Sequence, residues 1–239
     1  MQKKLIIAHR GNRSGAFENT LLAFKEAILA GADMVELDLR KTKDDVLIAN
    51  HNRVIGRKLI SKMHWADIEK INKRRNLEVP RLDEILEALK GKIKLDIEMK
   101  ETGYEEEAAA MLKNYFGIED FVVTSSNSLS IKKIKNKFPE VKVGLILGIH
   151  KPQKIVTGKI SKILPRRKYH FENADFFVPH WISVHLGFLD RVEKYKKPSF
   201  VWTVNSRNKI EKLLRDERVK GIITDKVSLA LDIRRKIGN

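Results

Sequence analysis

Apolar residues recur along this chain in two alternating rhythms. Short aliphatic runs, several with a period of two, fall at 5–8, 34–39, 93–99, 121–124, 141–147, 176–178, 200–204 and 221–224, and they predict strands. Between them, apolar positions three and four apart at 20–30, 82–90, 104–116, 129–138, 189–195, 206–215 and 227–236 predict helices. Helix starts are marked at Asn205-Ser206 and at Asp225. The connection through 151–164 has no clear period. Strands alternating with helices over 239 residues predict an α/β fold, a closed (β/α)8 TIM barrel. A doubly wound open sheet is the competing architecture. It usually carries a glycine-rich loop after its first strand, and "HRGNRSG" is not G-x-G-x-x-G. No internal repeat or long linker is visible, so 1–239 reads as a single domain. The alternation breaks only at 43–79, an irregular stretch that holds one further apolar run at 46–49.

Composition narrows the chemistry. There is no cysteine, which excludes disulfides and thiolate catalysis. The net charge of +17 favours anionic partners. Residues 150–171 contain seven lysines and arginines and no acid. That run is either a solvated basic face or, with Ile155, Ile160, Ile163 and Leu164 interspersed at 151–168, a face for anionic membrane. Aromatics are only 7% and do not interleave with the basic run, and no nucleic-acid motif is present, so no nucleic-acid partner is expected. The apolar run at 5–8 is too short for a signal core, and no stretch approaches bilayer length. A soluble, cytoplasmic protein is the expectation.

In a parallel barrel, function gathers at the C-terminal ends of the strands. His9 and Arg10 end the first strand. Glu36 and Asp38 lie two apart in "MVELDLR" and share one face, while Val35, Leu37 and Leu39 take the other. In "IKLDIEMK" the apolar Ile93, Leu95, Ile97 and Met99 alternate with Lys94, Asp96, Glu98 and Lys100, which sends charge into the barrel. Inward carboxylates on adjacent strands repel unless a cation separates them. Either Mg²⁺ or Ca²⁺ in an all-oxygen cage, or Lys94, Lys100 and Arg40 without metal, meets that need. Zinc suits the site less, since no close histidine cluster is present. His51, in "ANHNR", adds a second imidazole to His9, and such a pair serves as base and acid in a hydrolysis. His64, His150 and His170 read as ordinary polar residues. His180 and His185 follow the sixth strand, but no spacing demands them.

"AHRGNRSGAFENTLLAF", "GADMVELDLRKTKDD", "NHNRVIGR", "VPRLDEILE" and "KLDIEMK", followed by "VWTVN" and "VKGIITD", resemble in order the signatures of the glycerophosphodiester phosphodiesterase family, from about residue 5 to 225. The resemblance implies a (β/α)8 barrel that hydrolyses glycerophosphodiesters to glycerol 3-phosphate and an alcohol, using one divalent cation, Mg²⁺ or Ca²⁺. It implies His9 and His51 as the acid–base pair and Glu36, Asp38 and Glu98 as metal ligands. Arg10 and Lys100 would hold the phosphate, Trp202 would contact the substrate, and Glu18 and Asn19 would support the site. The family's small insertion between second strand and second helix accounts for 43–79. Three positions depart from the family: Asn52 stands where aspartate is usual, Phe17 where proline is, and Lys58 where threonine is common; Arg57 matches. The rival activities are a lysophospholipase D acting on membrane lipids and a catalytically dead phosphate-binding barrel.

Overall fold

The computed structural model describes residues 3–12, 17–148 and 173–238. Strand β1 (Leu5–His9) leads to helix α1 (Leu21–Leu29) and then to β2 (Met34–Lys41). Next come β3 (Leu47–Ala49), β4 (Val54–Ile55), β5 (Lys58–Leu59), α2 (Trp65–Arg75) and α3 (Leu82–Leu89). The alternation resumes with β6 (Lys94–Met99), α4 (Glu105–Tyr115), β7 (Phe121–Ser125), α5 (Ser128–Lys137) and β8 (Val143–Leu147). Beyond residue 172 follow β9 (Phe176–Pro179), α6 (Trp181–His185), α7 (Phe188–Val192) and β10 (Ser199–Val201). Helix α8 (Arg207–Arg215), β11 (Val219–Thr224) and α9 (Val227–Lys236) complete the order.

Eight of these strands are parallel and hydrogen-bonded in the ring β1-β2-β6-β7-β8-β9-β10-β11. Strand β1 seals it, pairing with β2 from Ile7–Met34 to His9–Glu36 and with β11 from Leu5–Gly221 to Ala8–Thr224. The fold is the (β/α)8 TIM barrel that the alternation predicts, and closure excludes the open sheet. Most boundaries move by one or two residues, as for β8, which starts at Val143 rather than 141, and two elements end three residues early. The strand read as 200–204 ends at Val201; Trp202 N and Val204 N each donate one bond to a neighbour, to Pro179 O at 3.1 Å and Ile223 O at 2.9 Å, without a continuous ladder. The helix read as 189–195 is α7 followed by a 3-10 turn (Glu193–Tyr195), which Lys196 ends in the left-handed region with φ 52°.

The stretch 43–79 holds an antiparallel arm and a helix. Strand β3 runs back along β2, β4 and β5 form a hairpin, and α2 follows. Ile48, Ile55, Ile60, Met63, Ile68 and Val79 give it a small core of its own. Ile68 is the one buried residue of α2, so that helix has almost no apolar stripe to betray it in sequence.

Two larger cores follow from the period of two in the barrel strands. Ile6, Ala8, Val35, Leu37, Leu95, Ile97 and Val123 face outward and pack under the helices. Ile7, Met34, Val122, Ile146, Phe176, Val178, Phe200 and Ile223 face inward and fill the barrel. Gly144 makes room for that filling: a Cβ there would come within 2.2 Å of the Phe176 ring, which packs on Phe200 with centroids 4.6 Å apart. Gly144→Ala is therefore expected to destabilise the barrel by about 1–3 kcal/mol through overpacking. A urea melt reads this directly; an unchanged midpoint would show that the ring moves aside freely. Among the described residues, no helix is long and apolar enough to cross a membrane. The basic run 151–168, His150 and His170 lie outside the described residues.

Candidate active site

The charged interior lies on β1, β2 and β6, toward their C-terminal ends. Register places His9 beside Glu36 and Glu36 beside Asp96; one step higher, Asp38 lies beside Glu98. After His9 the chain turns through Arg10 (φ 57°) and Gly11 (φ 85°). A Cβ on Gly11 would come within 2.7 Å of the Ala23 backbone, and Asn12 N donates to Ala23 O at 2.9 Å, so the turn lies flat on α1. Arg10 is thereby aimed back at the acids. Its backbone N–H donates to Glu36 Oε2 at 2.8 Å, its Nε lies 3.0 Å from Asp38 Oδ2, and its NH1 donates to Glu18 Oε1 at 3.0 Å.

Asp38 is fully buried and held on several sides. Asn19, itself at φ 59°, donates from Nδ2 to Asp38 Oδ2 at 2.9 Å and accepts from Asp38 N at 3.1 Å. Lys100 Nζ lies 3.0 Å from Asp38 Oδ1 and 2.6 Å from Glu98 Oε1. Lys94 and Arg40 do not meet these acids: Lys94 donates to Glu119 O at the opposite end of β6, and Arg40 pairs with Glu101.

Four carboxylates thus share the interior with two cations. Burial lifts Glu36 well above the usual carboxylate range, and the charges of Asp38, Glu98 and Asp96 add to the rise. Burial also raises Glu98, against the pull of Lys100. At Asp38 the same burial is overcome by the His51 hydrogen bond and by Lys100 and Arg10, which hold it well below the usual range. Ligand oxygens of Glu36, Asp38 and Glu98 lie within 4.8 Å of one another. A hard, all-oxygen, mutually repelling set of this kind fits a divalent cation.

Asp96 offers a separate test of this crowding. Burial pushes it up to about 7, with Thr124 opposing and Glu98 and Asp38 adding. Its Oδ1 accepts from Thr124 Oγ1 at 2.8 Å, and its buried Oδ2 has no hydrogen-bond partner. A raised folded pKa contributes stability that is complete below the unfolded value and is lost as pH rises through the folded one. Asp96→Asn keeps the Thr124 bond and removes the titration. In EDTA, its stability relative to wild type is expected to improve by about 1.4 kcal/mol per pH unit between roughly pH 4 and 7. Urea melts at both ends of that window check this, and a difference independent of pH would refute it.

Both predicted histidines flank the acids, each tethered through Nδ1. His9 Nδ1 lies 2.8 Å from Asp225 Oδ1, and His51 Nδ1 lies 3.1 Å from Asp38 Oδ2. A carboxylate at Nδ1 fixes that nitrogen as the donor and leaves Nε2 as the basic atom. His51 Nε2 is 3.4 Å from Arg10 NH2. His9, Arg10, Glu36, His51, Glu98, Lys100 and Trp202 line one cavity of about 660 Å³. Asp38, Asn19 and Glu18 join it through the bonds above. Trp202 spends its indole N–H on Val178 O at 2.9 Å, so it offers the cavity only ring surface.

His180 is elsewhere: it caps α6 and lies against Trp181 and Trp202, its pKa lowered by burial and by Lys209. His64 is exposed, 3.6 Å from Asp44. Asp225, which the sequence marks as a helix start, is also the partner of His9 across 216 residues, a contact that no local spacing signals. Asn205 secures that carboxylate, donating to Asp225 Oδ2 at 2.6 Å and accepting from Asp225 N at 2.9 Å. The position of Asp225 at the end of β11 was the available signal.

Residues 9–229 match the profile of the Glycerophosphoryl diester phosphodiesterase family. A glycerophosphodiester phosphodiesterase from Caldanaerobacter subterraneus subsp. tengcongensis is 28% identical over 256 aligned positions, covering 99% of this chain and 100% of the relative. Among solved structures, a glycerophosphodiester phosphodiesterase from Parabacteroides distasonis superposes with a TM-score of 0.79 at 21% identity, over 99% of each chain. A phosphodiesterase from Oleispira antarctica, solved in complex with the product sn-glycerol-3-phosphate, superposes with a TM-score of 0.76 at 22% identity, over 95% of this chain and 96% of that one.

Proposed function

This chain belongs to the glycerophosphoryl diester phosphodiesterase family, and from that premise we propose that it hydrolyses glycerophosphodiesters to glycerol 3-phosphate and an alcohol by His9/His51 acid–base catalysis. The observation that carries the reading is the pair of imidazoles, each tied by Nδ1 to a carboxylate, on the same cavity as the acid triad. Glu36, Asp38 and Glu98 would hold the cation, Mg²⁺ or Ca²⁺ by the hardness of the donors. When bound, it supplies charge neutralisation at a non-bridging phosphate oxygen.

The chain's own residues carry the remaining work. Arg10 presents a guanidinium and Lys100 an ammonium to the phosphate; burial disfavours both charges, but the carboxylates of Asp38, Glu36 and Glu18 around Arg10 and of Glu98 and Asp38 around Lys100 outweigh it and keep both charged. His9 takes at Nε2 a proton of the attacking water, whose oxygen bonds to phosphorus as the P–O bond to the alcohol breaks, and Asp225 stabilises the imidazolium that results. His51 delivers a proton to the departing alkoxide. Asn19 fixes Asp38, and Asp38 in turn orients His51. The Trp202 ring, with Ile146, Val178 and Ile223, forms an apolar wall for the carbons of the glycerol.

The test is release of glycerol 3-phosphate from a panel of glycerophosphodiesters, with a lysophospholipid included, in Mg²⁺ or Ca²⁺. Turnover of the water-soluble diesters is expected. Turnover confined to the lysophospholipid would favour the lysophospholipase D activity instead, and no turnover at all would defeat the hydrolase reading.

A further inference from the structure

The cavity continues past His51. Beside it lies a second hollow of about 240 Å³, and Arg40, Arg53 and Glu101 line both. Lys41 and Ser61 complete the polar lining of this annex, and Leu59 and Ile60 its apolar side.

The cations differ in how they are satisfied. Arg40 is buried, pairs with Glu101 and donates to the carbonyls of Asn50 and His51. Lys41 pairs with Asp45 at 2.6 Å. Arg53 is exposed and forms no ion pair among the described residues. It is nonetheless held in place: its carbonyl accepts from Ile60 N at 3.0 Å, and Ile55 and Ile60 anchor the β4–β5 hairpin in the local core. Arg40 is thus balanced by Glu101 and Lys41 by Asp45 and, at 3.9 Å, by Glu107, which leaves Arg53 as the annex cation without an ion pair among the described residues.

His51 and Arg53 are two residues apart. His51, Asn52 and Arg53 all line the main cavity, and Arg53 lines the annex as well, so a leaving group whose oxygen meets His51 has Arg53 along the same wall. We infer that this annex selects diesters whose leaving alcohol carries a second anionic group, a phosphate monoester or carboxylate, with Arg53 as the residue that receives it. The inference rests on the hydrolase reading above. A guanidinium with uncommitted donors suits such an oxyanion, and the unbalanced positive charge of Arg53 disfavours a cationic leaving group such as choline.

The test compares kcat/KM, by diester consumption, for glycerophosphocholine, glycerophosphoglycerol and glycerophosphoglycerol bearing a terminal phosphate. The terminal phosphate is expected to raise kcat/KM about tenfold over glycerophosphoglycerol, as a charge-assisted contact does. Arg53→Glu should abolish or invert that ratio, Arg53→Lys should keep part of it, and high salt should compress it. Equal kcat/KM for the two glycerol esters, or a ratio unmoved by Arg53→Glu, overturns the inference while leaving the hydrolase reading intact. Consumption of none of the three diesters defeats the hydrolase reading and this inference with it.

Discussion

His9→Ala and His51→Ala are each expected to lower kcat by roughly 10²–10⁴-fold, the range for loss of a positioned acid or base. The fold should survive both changes. Asp225 keeps its two bonds to Asn205 after His9 is removed, and Asp38 keeps Asn19, Arg10 and Lys100 after His51 is removed. Neither variant strands a charge without partners, so circular-dichroism melts should stay close to wild type. The measurement is kcat at saturating substrate and Mg²⁺. If either variant retained activity within a few-fold of wild type, that imidazole would have no part in proton transfer.

Chelation is the second large effect. Dialysis against EDTA is expected to abolish turnover, and Mg²⁺ or Ca²⁺ should restore it. Thermal stability supplies an independent readout. A cation that binds only the folded chain at a hundred times its Kd adds about 2.7 kcal/mol of stability. The pH dependence of that gain has a defined sign. Glu36 and Glu98 hold protons to higher pH than free carboxylates do, so the ion must compete with protons as pH falls. The metal-induced rise in Tm should therefore be larger at mildly alkaline than at mildly acidic pH. Full activity in EDTA, with no shift in Tm on adding metal, would remove the cation from the site.

Much of this was legible because a parallel barrel writes itself in period two. "IKLDIEMK" divides into an outward apolar face and an inward charged one, and Leu95 and Ile97 do pack under the helices while Asp96 and Glu98 line the cavity. The neutralising cations were harder to assign. Lys94, Lys100 and Arg40 look equivalent in sequence, yet Lys94 starts β6 and so emerges at the wrong end of the barrel, and Arg40 is taken by Glu101. Helix α2 was hidden because the insertion buries it by one isoleucine. Asp225 and Asn205 were hidden for a different reason. Periodicity reports neighbours along a strand or helix, and the bond to His9 joins residues 216 apart. The annex was invisible for the same cause, since β2, the hairpin and Glu101 meet only in space.

The seam between β1 and β11 has a consequence for how the protein is made. As the polypeptide leaves the ribosome, His9 emerges long before the carboxylate that steadies it, which lies 216 residues further along the chain. Until Val219–Thr224 arrives, one edge of β1 presents bare amides to the cell, a template for unwanted strand addition. Nascent chains released early would thus lack both the His9 tether and a sealed sheet, and hydrolytic competence would come all at once, with the last strand.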